Sequence, residues 1–153
     1  MLRLNLGCCD RAIRGFLGVD LVPPADVIAD LSQPWPWPDS SVDEVAAYDV
    51  IEHIANRIHF MNELHRVLKP GAVAIVETPD AAKGPGFWQD PTHISGWTKN
   101  SFQYFESGSF AHQRLARAYG ITAAFRVLEL GERRYADLYE PVFKLTVKLQ
   151  AVK

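Results

Sequence analysis

Hydrophobic residues fall in short runs bounded by turn formers, the pattern of strands covered on both faces. Leu2, Leu4 and Leu6 lead into Gly7, and a second run from Phe16 to Val19 ends on Asp20. Asp26 to Asp30 is a short buried run that ends on another acid. Val42 to Tyr48, with Val45, Ala46 and Ala47 in succession, predicts a central strand, and Ala72 to Val76 predicts its neighbour. Between them, Asn56 to Leu68 sets Ile58, Met61, Leu64 and Leu68 near one helical face, with Asn56 as N-cap and Lys69-Pro70-Gly71 as the stop. A second helix is predicted from Ser109 to Tyr119, with Leu115, Ala116 and Tyr119 inward and Gly120 ending it. Phe125 to Leu130 and Val142 to Val152 alternate; in the latter, Phe143, Leu145, Val147 and Leu149 share one face. These two runs predict a terminal antiparallel pair, and the whole predicts one α/β domain over residues 1–153.

Three segments carry no period. Ser32 to Ser41 holds three prolines and two tryptophans, so it is an ordered loop with Trp35 and Trp37 folded onto the body. Asp80 to Trp97, with three glycines and two prolines, has the length of a functional lid or binding loop, and Thr98 or Asn100 caps a short helix after it. The connection from Leu6 to Phe16 leaves nine residues, fewer than a helical crossover between parallel strands requires. Either its helix shrinks to about one turn, or the two strands are not parallel neighbours.

Composition narrows the class. Hydrophobic residues make up 48% and the net charge is −2, which excludes disorder and a global basic field for nucleic acid. No run approaches the roughly 20 residues that span a bilayer, and no signal-peptide pattern precedes the first strand, so a cytoplasmic location is expected. The cysteines, Cys8 and Cys9, are adjacent and read as reduced thiols in a tight turn. Neither they nor the histidines have the spacing of a metal-ligand set, so no metal site is assigned.

A strand, a small-residue turn, a second strand and an acid form the arrangement that offers backbone N–H groups to a nucleotide and a carboxylate to its ribose. Only Gly7 stands where a dinucleotide site needs three glycines, which disfavours a nicotinamide or flavin enzyme. The polar cluster Asp49, Glu52 and His53 follows the central strand. Glu52 reads as a cap or ion-pair partner of the next helix. Asp90-Pro91-Thr92-His93 lies in the long loop, where an imidazole could take a proton from an acceptor. Trp88 and Trp97 flank it, and His59, His65 and His112 fall in helical stretches without a functional assignment.

The ordered series LNLGC, GVDL, ADVIADL, PWPWPDSSVDEV, DVIEHI and ELHRVLKPGAVAIVETPD resembles the small class I S-adenosylmethionine-dependent methyltransferases of the type 11 group, from Leu2 to about Phe105. The resemblance implies a Rossmann-like, mostly parallel sheet with an antiparallel C-terminal strand, here with a reduced first helix. It implies S-adenosyl-L-methionine as cofactor: Asn5, Gly7 and Cys9 at its methionine part, Asp20 at the ribose hydroxyls, Asp30 and Leu31 at the adenine. Tyr48, Asp49 and His53 would floor the pocket below the methyl group, with His93 and His53 as candidate bases. The methyl acceptor is expected to be a small molecule or a protein. Cys9 replaces the second glycine usual in the first loop. With the shortened helix, that change points to the alternative of a catalytically inactive binding or partner module with the same fold.

Overall fold

The nine residues between Leu6 and Phe16 hold no helix. In the computed structural model of the chain, which describes residues 1–136 and 140–153, they form a succession of turns. β1 (Arg3–Leu6) and β2 (Leu17–Asp20) nevertheless run parallel and adjacent, Leu4 opposite Leu17 and Leu6 opposite Val19. The expected reduction of the first helix therefore goes to completion. Backbone bonds replace it: the Cys8 N–H donates to the Val19 carbonyl at 3.1 Å and the Arg11 N–H to the Cys8 carbonyl at 2.7 Å.

β3 (Val27–Ile28), β4 (Val42–Tyr48), β5 (Leu68–Pro79), β6 (Phe125–Tyr135) and β7 (Val142–Ala151) complete a seven-stranded sheet in the order β3-β2-β1-β4-β5-β7-β6. The first five strands in that order pair in parallel, and β7 pairs antiparallel to both β5 and β6. Chain order reverses between β1 and β4, and ligands of open α/β sheets bind at such a switch point, outside the carboxyl ends of the strands.

α1 (Arg57–Val67) begins where Asn56 accepts the His59 N–H at 2.9 Å, as its N-cap position predicts. It buries Phe60, Met61, Leu64 and Val67; of the predicted face, Met61 and Leu64 are fully buried, Ile58 is partly covered, and Leu68, also buried, already belongs to β5. α2 (Phe110–Tyr119) has Ser109 as N-cap and a left-handed Gly120 as its end. Of its three predicted inward residues only Ala116 is buried, and Tyr119 is 51% exposed, because α2 rests mainly on the short 3-10 helix Lys99–Tyr104. The run from Asp26 to Asp30 is also not buried: β3 is the sheet edge and Ile28 is 56% exposed. The terminal pair is antiparallel as expected, and β7 keeps its alternation with Leu145, Val147 and Leu149 fully buried, whereas in β6 a register shift between Val127 and Glu129 interrupts the alternation and leaves Leu128 and Leu130 exposed.

The proline-rich loop is held by one side chain. Arg66, on α1, donates to the carbonyls of Trp35 and Trp37 and to the carboxylates of Asp39 and Glu63, while Glu63 accepts the Trp35 N–H at 2.6 Å. Trp35 and Trp37 are thereby folded into the core, edge-on to each other at 6.2 Å. This fixes Asp30 and Leu31, just before the loop, at the carboxyl end of the sheet.

Candidate functional site

Three adjoining cavities open at the carboxyl ends of β1, β2, β4 and β5. The first, about 460 Å³, is lined by Gly7, Cys9, Asp20, Asp30, Leu31, Asp49 and His53, among others. The second, about 200 Å³, meets it at Gly7 and is lined by Asn5, Arg11, Tyr48 and Glu77. The third, about 480 Å³, shares Asp49 and His53 with the first and is otherwise bordered by Glu52, Asp90, His93 and Lys144.

In the first cavity, Asp20 is positioned by backbone. Its Oδ2 accepts the Cys9 N–H at 2.8 Å and its Oδ1 the Leu21 N–H at 2.7 Å. Cys9 takes a left-handed conformation at φ 46° to make that bond. Asp30 accepts the Ser32 hydroxyl and N–H at 2.7 and 2.8 Å, and these bonds hold its carboxyl below the usual carboxylate range. Gly7 also has a positive φ, 64°, but the reason it must be glycine is Val50: a β-carbon at Gly7 would stand 2.6 Å from it. The amides of Cys8 and Cys9 are taken by Val19 and Asp20 of β2 and that of Arg11 by the Cys8 carbonyl, and the Arg11 guanidinium stands 3.6 Å from Asp49.

In the second cavity, Asn5 is buried and donates to the Arg11 carbonyl at 2.7 Å, so it shapes the first turn. Tyr48 lies beside it rather than under the first cavity. Burial, followed by the Glu77 and Glu44 carboxylates, pushes the Tyr48 hydroxyl above its ordinary value.

The third cavity holds the densest chemistry. Glu52 is fully buried in the 3-10 turn Ile51–His53, accepts the Thr78 hydroxyl on Oε2 at 2.9 Å, and leaves Oε1 without a hydrogen-bond partner. Desolvation pushes its carboxyl up to about 7, with a smaller contribution from the neighbouring Asp49 charge. His93 places Nδ1 2.6 Å from the Phe87 carbonyl, which requires a proton there and turns the lone pair of Nε2 toward Glu52 Oε1 at 3.9 Å and Asp90 Oδ2 at 3.8 Å. His53 packs edge-on against His93 at 4.8 Å, its Nδ1 3.1 Å from the Thr92 hydroxyl. Asp49, at φ 54°, receives Lys144 from β7.

The long loop is tied to this cluster. Ile94 and Ser95 N–H groups both donate to the Glu52 carbonyl, Arg57 to the Gly96 carbonyl, and buried Trp97 stacks on Phe102 at 5.2 Å. Trp88, in contrast, is 73% exposed. His59, His65 and His112 each bond a backbone carbonyl, of Gln33, Val152 and Ala123, which is a structural use.

All ten predicted site residues thus border one of the three cavities, though Asn5 and Tyr48 lie apart from the others. Sequence reasoning left out three further residues. Glu52 could have been found from its apolar neighbours Val50 and Ile51, which pull it inward. Arg11 sits in a turn without period, and Lys144 occupies the face of its strand that alternation assigns to solvent, so neither gave a signal.

Residues 7–76 match a protein family described as a methyltransferase domain. A 45-residue stretch is 49% identical to a probable S-adenosylmethionine-dependent methyltransferase of Mycolicibacterium smegmatis; it covers 29% of this chain and 18% of that protein's length. In fold, the chain is similar to a S-adenosylmethionine-dependent methyltransferase of Methanosarcina mazei, with TM-score 0.67 and 14% identity over 98% of this chain and 92% of the other. It is similar too to a Burkholderia thailandensis 1,6-didemethyltoxoflavin-N1-methyltransferase solved with bound 1,6-didemethyltoxoflavin and S-adenosylhomocysteine, with TM-score 0.64 and 14% identity over 99% and 71% of the two chains.

Proposed function

We propose that this chain, whose residues 7–76 match a methyltransferase domain and whose fold is that of solved S-adenosylmethionine-dependent methyltransferases, transfers the methyl group of S-adenosylmethionine to an acceptor held in the third cavity. One observation carries the reading: the cavity bordered by Asp20, Asp30 and Leu31 and the cavity bordered by Glu52 and His93 meet at Asp49 and His53. A donor in the first and a nucleophile in the second would face each other across that junction.

Each residue has a physical task in this reading. Asp20, already oriented by two amides, retains lone pairs for ribose hydroxyls. Asp30 accepts from the adenine amino group, and Leu31 covers the ring. The methionine tail passes Cys9 and Gly7 into the second cavity, where Asn5 and Tyr48 flank it and Arg11 meets its carboxylate. This assignment replaces the helix N-terminus that the chain lacks. The sulfonium supplies an activated methyl group when bound. The protein's part is in-line placement and exclusion of water. An acceptor that loses a proton does so on the side where His53 and His93 stand.

The test is calorimetry with S-adenosylhomocysteine. Wild type is expected to bind, and Asp20→Ala to bind at least about tenfold more weakly, since a carboxylate hydrogen bond contributes roughly 1.5–3 kcal/mol. A second reading, a non-catalytic binding module, is favoured by the Cys9 amide being engaged by Asp20. No binding at millimolar ligand by folded wild type would decide for that module.

A further inference from the structure

We propose that Glu52, His53 and His93 form a binding site for a first-row divalent transition-metal ion in the third cavity. One ligand atom from each residue lies within 4.8 Å of the others. Such an ion holds nitrogen and oxygen ligands at about 2.0–2.2 Å, which sets the ligand atoms themselves about 3–4 Å apart. The measured separation of His93 Nε2 from Glu52 Oε1 is 3.9 Å. Little rearrangement is needed to close the set.

Three features distinguish this cluster from a chance grouping. Glu52 Oε1 is buried, has no hydrogen-bond partner, and borders the cavity, an arrangement that is unfavourable unless something completes it. His93 gives its Nδ1 proton to a backbone carbonyl, the outer contact that orients a metal-ligating imidazole and presents Nε2 as the donor atom. His53 has its Nδ1 turned to Thr92, whose hydroxyl and N–H are held by Asp90. The donors are also fixed in place, because two backbone bonds from the long loop end on the Glu52 carbonyl. Two imidazoles and one carboxylate suit zinc, manganese, iron or cobalt ions rather than magnesium or calcium, which prefer oxygen. Three protein ligands leave positions open toward the cavity, and Asp90, 3.8 Å from His93 Nε2, stands close enough to supply one more.

The role of the ion deepens the proposed methyl transfer and rests on it. The open positions would take an acceptor hydroxyl and make it more acidic by Lewis-acid contact. The hydroxyl proton leaves to solvent, an oxygen lone pair forms the bond to the methyl carbon, and the carbon–sulfur bond breaks with its electrons on sulfur. The products are a methyl ether and S-adenosylhomocysteine. In this scheme His53 and His93 assist deprotonation as ligands, and the acceptor is a hydroxyl compound, with chelating diols and hydroxyacids the best fit.

The experiment is a titration of the metal-stripped full chain with Co²⁺, followed by visible absorption and by elemental analysis after dialysis. One ion per chain is expected, with d–d bands and no thiolate charge-transfer band, which excludes Cys8 and Cys9 as the ligands. His93→Ala and Glu52→Gln are each expected to weaken binding at least about tenfold while circular dichroism shows the fold retained. No retained ion at millimolar Co²⁺, a thiolate band, or equal binding by both variants overturns the site. S-adenosylhomocysteine calorimetry on the same preparation keeps the two readings apart: ion binding without cofactor binding supports the site alone, and cofactor binding without ion binding removes it alone.

Discussion

Gly7 and His65 show how single residues carry consequences that their neighbours set. At Gly7 two constraints coincide, a left-handed backbone and a Val50 side chain 2.6 Å from any added β-carbon. Gly7→Ala is expected to destabilise by about 2–4 kcal/mol, read as a lower urea midpoint. Gly7→Ala with Val50→Ala would recover only part of the steric share, since the Val50 β-carbon itself stands 2.6 Å from the added one and the backbone strain persists. His65 is held neutral: burial lowers its affinity for a proton, and this outweighs the opposing bond to the Val152 carbonyl. Its folded-state value lies below the ordinary imidazole value of 6.5, so the folded state binds fewer protons than the unfolded one. The stability it contributes is fully present above the unfolded value and is lost as pH falls from there through the folded one. Thermal melts of wild type and His65→Gln should therefore converge as pH drops below about 6.5, with wild type losing more.

Arg66 does at the element scale what the chain's prolines leave undone. The loop from 32 to 41 has few backbone hydrogen bonds of its own, and one guanidinium on α1 gathers two of its carbonyls and two carboxylates. A lysine cannot reproduce that fork. Arg66→Lys is expected to destabilise by about 2 kcal/mol, with Trp35 and Trp37 fluorescence shifting toward exposure at lower urea than in wild type. The loop from 80 to 97 is held by a different device, backbone amides on the Glu52 carbonyl and the stacked Trp97. Of the two helices, the buried face was read better for α1, where Met61, Leu64 and Leu68 are all fully covered, than for α2, where only Ala116 is buried. Their boundaries and caps are local and agree, while the buried face depends on what each helix meets: a sheet for α1, a short 3-10 helix for α2.

Across the molecule, cohesion is uneven. β7 lies between β5 and β6 and exchanges long ladders with both, whereas β3 joins by two residues at the edge. Amide exchange is expected to be slowest in β4, β5 and β7 and fastest in β3, with β2 intermediate. Uniform protection across β2 and β3 would contradict this. The gradient bears on the site, since Asp20 and Asp30 belong to the looser side while Glu52 and Asp49 rest on the tighter one. Binding of S-adenosylhomocysteine should therefore raise protection most in β2 and β3, an outcome the same exchange experiment reads.

The places of the strands along the chain, the N-caps of both helices and the acids that follow the second and third apolar runs were legible in the residues themselves, because periodicity and capping act over a few positions. The completeness with which the first helix is lost was not, since it depends on Asp20 and Val19 supplying the turn with partners from the next strand. Nor was the meeting of His53 with Thr92 and His93: the first two lie 39 positions apart, and the loop between has no period from which a direction could be read. Glu52 is the clearest division between the two. Its place in the chain follows from sequence, as an acid between a central strand and a helix. Its burial, its unpartnered oxygen and its company of two imidazoles come only when β5 and the long loop close over it, because desolvation is a property of the packed whole.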